Sequence, residues 1–469
     1  MENKKKDISK QNQHIHLIGI GGIGMSGIAE LLLRLGYKVS GSDIKLTEIT
    51  KNLEKLGGKI YQRHHSDNVT NVDVVVYSSA VSMDNPEIVT AKTKHIPIIS
   101  RAEMLAELMR FKYSIAIAGA HGKTTTTSMI SLILTKANLD PTVVVGGRFN
   151  DIGSNARYGS SEFMVVETDE SDGSFLKLSP IISVVTNIDY EHLDFYKNLD
   201  EIKNAFLTFM NKVPFYGKVI FCMDCRNIQD IINKIERKFI SYGLNKDADI
   251  QAGNILLHDL YSEYNLILKG KKKDKIKVNI PGKHYVLNSL AAIAVGLELN
   301  IDLSIIKDAL ANYNGVHRRF EVKAKVNGIT IIDDYAHHPT EIKATLATLK
   351  LRKPRRIIAI FQPHRYSRTK ALHHEFGKVF NEADMVIVTP IYPAGEKPIV
   401  GVDASLITES LIKEGHLKVI FINSFTEIVD FLRNIVIPHD TVITLGAGDI
   451  YKVGEVLSEQ LKISIKTTS

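Results

Sequence analysis

The stretch Gly119-Ala120-His121-Gly122-Lys123-Thr124-Thr125 follows the apolar run Tyr113–Ala118 and leads into a helical pattern. A strand, a glycine-containing loop and a helix in this order predict a phosphate-binding loop, because unpaired N–H groups at a helix start point at a bound anion. Lys123 can reach the β- and γ-phosphates of a nucleotide, and the Thr124 hydroxyl can bind Mg²⁺. Only two residues separate the two glycines, whereas the usual loop has four there.

A second glycine-rich turn lies near the start of the chain. The run His14–Ile18 is followed by Gly19-Ile20-Gly21-Gly22-Ile23-Gly24, and a later strand ends at Asp43. This is the spacing of a dinucleotide-type site, in which glycines permit a tight turn and let the backbone approach a diphosphate. We expect Gly24 to let the following helix pack closely on the strand. The motif predicts a diphosphate and a ribose, and both NAD(P) and another nucleotide remain open.

Beyond Gly315 the chain again alternates apolar strands with helical patterns. The predicted strands are Ile329–Ile332, Ile357–Phe361, Met385–Thr389 and Thr441–Leu445. Ligands of such doubly wound sheets bind beyond the carboxyl ends of the strands. The polar runs at those ends are Asp333–Pro339, Gln362–Arg368 and Gly446–Asp449.

The fold class that these patterns predict is α/β with three domains, since 469 residues are enough for about three. We expect a Rossmann-like domain at 1–110, a central ATPase-type α/β domain with the phosphate loop at 111–314, and a doubly wound α/β domain at 315–469. Two nucleotide-type sites and no separate dehydrogenase domain favour a ligase for a nucleotide-linked substrate over an oxidoreductase.

Composition and charge narrow the possible partners. Apolar residues are 44% and charged residues 24% of the chain, as in ordinary globular proteins. The net charge of +7 attracts polyanions, but the densest basic run, Lys269–Lys277, is interpreted as a solvated hairpin tip, and no nucleic acid is expected. Two cysteines, Cys222 and Cys225, are too few for a structural zinc site.

The location of the protein is predicted to be cytoplasmic. The polar, lysine-rich start Met1–Gln13 has no apolar segment of a secretion signal. No stretch of 18 apolar residues occurs, so no membrane insertion is expected. The sequence leaves the oligomeric state open.

Taken together, the motifs resemble those of the Mur ligase family over essentially the whole chain. The stretches that carry the resemblance are Gly19–Glu30, Asn85–Arg110, Gly119–Thr127, Val165–Ser174, Val185–Asp194, His317–Phe320, Asp333–Pro339, Phe361–Thr369 and Tyr392–Glu396. Within the family the chain is most similar to the branch that adds L-alanine to UDP-N-acetylmuramate. The resemblance implies that the sugar carboxylate attacks the γ-phosphate of ATP, and that the amine of L-alanine then attacks the acyl phosphate.

The resemblance also implies residues for ATP, Mg²⁺ and catalysis. Thr124, Glu167 and His192 are the expected Mg²⁺ ligands, and oxygen-rich ligation suits Mg²⁺. The expected catalytic residues are Lys123, Glu167, His192, His337 and Arg365. The expected ATP-binding residues are Gly119, Ala120, His121, Gly122, Lys123, Thr124, Thr125, Asn288, Arg319 and Asp334. Several relatives carry a carbamylated lysine that is absent from Asn204–Leu207 here, as it is in the L-alanine-adding branch.

Two further sets of residues are expected to bind the other substrates. The UDP-sugar set is Gly21, Gly22, Gly24, Ser42, Asp43, Ser78 and Ser79. The set for the amino acid and the acyl phosphate is Tyr335, His337, His364, Arg365 and Arg368, because arginine and histidine suit a carboxylate and a developing oxyanion.

Three alternatives remain at this stage. A recycling ligase that attaches a tripeptide to the same UDP-sugar would share most motifs. An NAD(P)-dependent oxidoreductase with a fused ATPase would use the first glycine-rich turn differently. A nucleic-acid-stimulated ATPase is suggested only by the basic pI of about 9.0, and its activity would fall with salt.

Overall fold

The computed structural model describes residues 13–78, 80–145, 156–192 and 195–466. The strands are β1 (His14–Ile18), β2 (Lys38–Asp43), β3 (Lys59–Gln62), β4 (Val74–Tyr77), β5 (Ile98–Ser100), β6 (Tyr113–Ala118), β7 (Thr142–Val144), β8 (Ala156–Arg157), β9 (Phe163–Glu167), β10 (Ile182–Val185), β11 (Lys218–Cys222), β12 (Phe239–Gly243), β13 (Ile250–Leu257), β14 (Ser262–Leu268), β15 (Lys271–Val278), β16 (Glu321–Val326), β17 (Ile329–Asp334), β18 (Arg356–Phe361), β19 (Met385–Val388), β20 (Val419–Phe421) and β21 (Asp440–Leu445). The helices are α1 (Ile23–Arg34), α2 (Glu48–Lys55), α3 (Pro86–Thr93), α4 (Arg101–Met109), α5 (Lys123–Lys136), α6 (Leu199–Asn211), α7 (Arg226–Gln229), α8 (Lys283–Glu298), α9 (Leu303–Ala311), α10 (Pro339–Lys350), α11 (Tyr366–Gly377), α12 (Ser405–Lys413), α13 (Phe425–Ile435) and α14 (Tyr451–Lys466).

The first sheet is parallel and has the strand order β3-β2-β1-β4-β5. Every residue of β1 is buried, as expected for a central parallel strand with both faces covered. The strand order reverses at β1, so its carboxyl end is a topological switch point, where such sheets bind ligands. The glycine-rich turn from Gly19 to Gly24 lies there.

The second sheet has ten strands in the order β15-β14-β13-β12-β11-β10-β6-β9-β7-β8. Strand β6 lies between β10 and β9 and is parallel to both. The carboxyl ends of these three strands therefore meet at one edge of the sheet. The phosphate loop, the acidic run that begins at Glu167 and the stretch after Val185 all leave the sheet at this edge.

The basic run Lys269–Lys277 differs in part from its prediction as a hairpin tip. Only Lys269 and Gly270 form the turn, both with positive φ (47° and 74°). The other lysines lie on β15, the edge strand of the sheet. Exposed lysines on an edge strand oppose pairing with another chain.

The third sheet has the order β16-β17-β21-β18-β19-β20, with β16 antiparallel and the other strands parallel. Asp334, Phe361 and Leu445 end three adjacent strands, so the polar runs that follow them meet at one edge. The predicted α/β class is confirmed, and the residues that the structure describes form three sheets.

The described residues form two compact units. One contains the chain up to residue 252 together with 266–273 and 287–310, and the other contains 253–265, 274–286 and 311 onwards. This division does not follow the three predicted domains, whose boundaries stay a prediction. Within the described part of the chain we find no helix with the length and apolarity to cross a bilayer.

Candidate functional site

The phosphate loop takes the conformation that its glycines predict. Gly119 has a φ of 139° and Gly122 a φ of 81°, a region that favours glycine. Gly122 is also the N-cap of α5, and no side chain caps the helix there. Its first N–H groups therefore point towards the space where a phosphate would bind.

Two asparagines hold the loop in place. Asn187 Oδ1 accepts from the His121 N–H at 2.9 Å, and Asn187 Nδ2 donates to the His121 carbonyl at 2.9 Å. Asn288 lies directly against the loop, since a Cβ built on Gly122 would lie 2.6 Å from Asn288 Oδ1. Asn288 thus lies beside the phosphate loop, and its contact with the nucleotide stays a prediction. Asn187 was not predicted.

The acidic run that follows β9 faces the loop. Thr124 Oγ1 donates to Glu167 Oε1 at 2.7 Å, so two of the three predicted metal ligands are in contact. The third, His192, has a φ of 58° and lies near a residue that the sequence analysis missed, Glu170. Glu170 Oε1 is 3.3 Å from His192 Nε2 and accepts from Lys123 Nζ at 2.6 Å.

The electrostatics of this cluster centre on Glu170, whose side chain is 3% exposed. Burial alone would raise the pKa of Glu170, but the charge of Lys123 and the hydrogen bond of His192 hold that pKa below its ordinary value. Burial alone would lower the pKa of Lys123, but Glu170 raises it above the ordinary value. The lysine is therefore cationic and the carboxylate anionic at neutral pH.

The donor set of the cluster fits a hard divalent cation. Glu170 Oε2 is buried and has no hydrogen-bond partner among the residues that the structure describes. A buried carboxylate oxygen without a donor is costly unless a ligand or ion completes it. Thr124 contacts Glu167, and His192 contacts Glu170. These side chains offer mainly oxygen ligands, which Mg²⁺ prefers.

The glycine-rich turn after β1 is built as expected at two positions. Gly19 has a φ of 77°, and a Cβ there would lie 3.6 Å from Ser78 Cβ, so the predicted Ser78 borders this turn. The N–H of Gly21 donates to Asp43 Oδ2 at 2.8 Å. The predicted Gly22 is the N-cap of α1. Ser79 lies outside the described residues.

Ser42 is fully buried and its hydroxyl donates to Glu87 at 2.6 Å. Its role at the UDP-sugar stays a prediction. Gly24 was predicted to let helix α1 pack closely on the strand. Instead, the guanidinium of Arg101 fills the space beside Gly24, where it would collide with a Cβ.

A cavity of about 320 Å³ joins the two glycine-rich loops within this unit. Its lining includes Gly24 and Arg101 on one side, and Lys123, Glu167 and Asp169 on the other. The two glycine-rich loops therefore border one continuous cavity.

The second unit brings together the residues predicted for the amino acid. The His337 ring lies 5.4 Å from the Tyr335 ring and 5.6 Å from the His364 ring. Arg368 Nη1 is 3.3 Å from His364 Nδ1. Burial, followed by the charge of Arg368 and Arg365, lowers the pKa of His364 to about 3, so this ring is neutral at pH 7.

Arg365 occupies a strained turn beside this cluster. Its φ is 71°, which is costly for a residue with a side chain and is typical of functional sites. Its N–H donates to the Tyr392 carbonyl at 2.9 Å, and its guanidinium lies 4.0 Å from Glu396. Tyr392 also stacks on His364 at 5.6 Å.

Asp334 and Arg319, which were predicted to bind ATP, contact neighbouring residues of the second unit. Asp334 is 4% exposed, and its carboxylate accepts from the N–H groups of Phe320 and Ala336 and from the Thr345 hydroxyl. Burial raises the pKa of Asp334 to about 6. The carboxylate therefore positions two turns, and its role in binding ATP stays a prediction. The Arg319 guanidinium lies 5.0 Å from the Tyr335 ring centre.

Comparison with known proteins gives one consistent result. Three family models match in order: "Mur ligase family, catalytic domain" at 14–113, "Mur ligase middle domain" at 117–296 and "Mur ligase, glutamate ligase domain" at 318–448. The chain is 56% identical to a UDP-N-acetylmuramate–L-alanine ligase of Geotalea uraniireducens, over 96% of this chain and 98% of the relative. It is 55% identical to the enzyme of the same name in Desulfatibacillum aliphaticivorans, over 95% and 98%.

Solved structures agree with these matches. A UDP-N-acetylmuramate–alanine ligase of Thermotoga maritima is 32% identical with a TM-score of 0.81, covering 96% of this chain and 99% of that chain. A murein peptide ligase of Psychrobacter arcticus is 24% identical with a TM-score of 0.70, covering 96% and 98%, which shows a shared fold.

Proposed function

This chain belongs to the Mur ligase family, and from that premise we propose how it joins L-alanine to UDP-N-acetylmuramate at the expense of ATP. The observation that carries the proposal is the cluster of Lys123, Thr124, Glu167, Glu170 and His192 at the end of the phosphate loop. The relatives favour this activity over a tripeptide-recycling ligase and over an oxidoreductase.

The reaction needs activation because a carboxylate does not acylate an amine at neutral pH. A carboxylate oxygen of the sugar attacks the γ-phosphorus, the bond from phosphorus to the β-γ bridging oxygen breaks, and ADP leaves. The amine of L-alanine then attacks the acyl carbon, loses a proton, and the carbon–oxygen bond to phosphate breaks. The products are the amide, ADP and phosphate.

The phosphate loop and Lys123 are suited to bind and orient the phosphates of ATP. Thr124, Glu167, His192 and the free oxygen of Glu170 would hold Mg²⁺, which screens negative charge during phosphoryl transfer. Glu170 also keeps the lysine ammonium and the histidine ring in position. We therefore add Glu170 to the set of functional residues.

The residues of the second unit are proposed to bind the amino acid and the acyl phosphate. Arg365 and Arg368 offer guanidinium donors to the α-carboxylate and to the oxyanion of the tetrahedral intermediate. Neutral His337 and His364 offer one acceptor and one donor each, and Tyr335 borders them. We propose three domains at 1–110, 111–314 and 315–469, and a cytoplasmic location, where ATP and UDP-sugars are available.

Phosphate release by the purified protein with Mg²⁺, ATP and UDP-N-acetylmuramate tests the proposal, with and without L-alanine. We expect sustained release only when both substrates are present. Replacing L-alanine by the tripeptide L-Ala-γ-D-Glu-diaminopimelate separates the two ligase activities. Release with the tripeptide and none with L-alanine would overturn the proposal.

A further inference from the structure

Arg101 connects two parts of the first unit that bind different substrates. It is the first residue of α4, whose start is fixed by a capping box between Ser100 and Glu103. Its Nη2 donates to Asp169 Oδ2 at 3.0 Å, and its Nη1 fills the space beside Gly24. One guanidinium therefore contacts both the first turn of α1 and the acidic run after β9.

The guanidinium beside Gly24 lies near the start of α1, where the carboxylates already present are Asp169 on the arginine and Asp43 on the N–H of Gly21. A helix start carries partial positive charge, and a cation there is repelled. Helix α1 has no acidic residue in its first turn and no side-chain cap at Gly22. A negatively charged group bound between the arginine and the helix start would be attracted by both. Gly24 and Arg101 both line the cavity that extends to Lys123.

The other end of the guanidinium acts on the acidic run. Asp169 Oδ1 accepts from the N–H and the hydroxyl of Ser171 at 3.1 and 2.6 Å, so the Asp169 carboxylate braces the turn on both sides of Glu170. Glu170 in turn contacts Lys123. Arg101 is thereby connected to the phosphate loop through Asp169, Glu170 and Lys123.

We propose that Arg101 is a positioning residue that donates to the diphosphate of the UDP-sugar with one edge and holds Asp169 with the other. This rests on the proposed function, because it assumes that the diphosphate binds at the first glycine-rich turn. Binding of the UDP-sugar then orders the acidic run, and the affinity for ATP rises. By thermodynamic reciprocity ATP raises the affinity for the UDP-sugar by the same factor.

Titration calorimetry on the full chain tests the proposal with UDP as the probe, with and without a saturating non-hydrolysable ATP analogue and Mg²⁺. In Arg101→Gln we expect UDP to bind about 10-fold or more weakly, since a charge-assisted bond is lost, and the coupling between the two ligands to disappear. Arg101→Lys keeps the positive charge, but a single ammonium cannot donate to two groups on opposite sides as a guanidinium does. Relative to Arg101→Gln, we expect it to recover part of the UDP affinity and little of the coupling.

Asp169→Asn separates binding from coupling. It leaves the guanidinium free to meet the diphosphate, so UDP alone binds within about 3-fold of the natural protein, whereas the coupling factor falls towards one. The matched control is Arg110→Gln at the C-cap of the same helix, where the Arg110 guanidinium pairs with Glu107 at the surface. We expect it to change neither quantity.

Two results would overturn the proposal: unchanged UDP affinity in Arg101→Gln, or full coupling in Asp169→Asn. If the UDP affinity is unchanged, titration with UDP-N-acetylmuramate shows whether Arg101 meets the lactyl carboxylate instead of the diphosphate. Failure of the proposed function is separate, because the natural protein would then release no phosphate with its substrates. Melting temperatures of the variants identify any that do not fold.

Discussion

Lys123 Nζ and Glu170 Oε1 lie 2.6 Å apart at the end of the phosphate loop, with the glutamate side chain 3% exposed. The same oxygen is 3.3 Å from His192 Nε2. One buried carboxylate therefore holds both a lysine that the phosphate loop contributes and a histidine from the stretch after β10.

Glu170→Gln is expected to lower the free energy of unfolding by about 3 kcal/mol, because it leaves a buried ammonium without its closest anion. Added Mg²⁺ and ATP analogue should restore part of that loss, since the phosphates replace the missing charge. Chemical unfolding with and without the analogue measures both effects. The control Glu107→Gln removes an exposed pair and should cost under about 1 kcal/mol. A Glu170→Gln protein as stable as the natural one would refute this account.

Gly122→Ala should abolish the ATP-dependent activity. The new Cβ would lie 2.6 Å from Asn288 Oδ1, and the φ of 81° is unfavourable for alanine. Gly270→Ala is the matched control, because Gly270 has a similar φ of 74° but open space around it. Both variants should lose about 1–2 kcal/mol of stability from backbone strain, and only the first should lose phosphate release. Equal activity in the two variants would contradict the prediction.

Stability should fall as the pH drops below about 6.5. Burial lowers the pKa of His364 to about 3 and that of His284 to about 4. The unfolded chain takes up these protons near pH 6.5 and the folded chain does not, so each ring can contribute up to about 1.4 kcal/mol per pH unit between the two pKa values. This stability is fully present above pH 6.5.

Unfolding free energies measured from about pH 5 to 8 check the histidine contribution. His364→Gln should flatten the slope, because one neutral buried ring is removed. His65→Gln, at an exposed position, should leave the slope unchanged. Identical slopes in the natural protein and in His364→Gln would show that this ring does not remain neutral in the fold.

Arg365→Gln should raise the KM for L-alanine by about 10-fold or more, since a charge-assisted contact to the α-carboxylate is lost. The KM for ATP should change by less than about 3-fold, because the substituted side chain is proposed to meet the amino acid. Steady-state kinetics with each substrate varied in turn separates the two. Arg433→Gln, which pairs with Asp430 at the surface, serves as control. An effect on the KM for ATP alone would reassign Arg365.

The sequence was sufficient for the loops and strands that have strict local requirements. The positive φ of Gly119 and Gly122 and the strand ends at Ala118 and Glu167 follow from short-range patterns. The pairing of Thr124 with Glu167, 43 positions apart, was expected only from the family resemblance. A phosphate loop between two parallel strands has few alternative conformations.

Residues whose roles depend on distant partners were not predictable. Glu170 lies in the same acidic run as Glu167, but only the turn that follows β9 shows which carboxylate meets Lys123. Arg101 lies 68 positions from Asp169 along the chain, and no local pattern connects them. For the same reason the sequence suggested that Gly24 makes room for a strand, whereas a side chain from α4 fills that space.

The most direct test of the central claim uses UDP-N-acetylmuramate labelled with ¹⁸O at both oxygens of its lactyl carboxylate. The enzyme is given this substrate with Mg²⁺, ATP and L-alanine, and the released phosphate is analysed by mass spectrometry. The account predicts one ¹⁸O atom in each phosphate, because the attacking carboxylate oxygen leaves with phosphorus. Phosphate without the label would contradict ligation through an acyl phosphate.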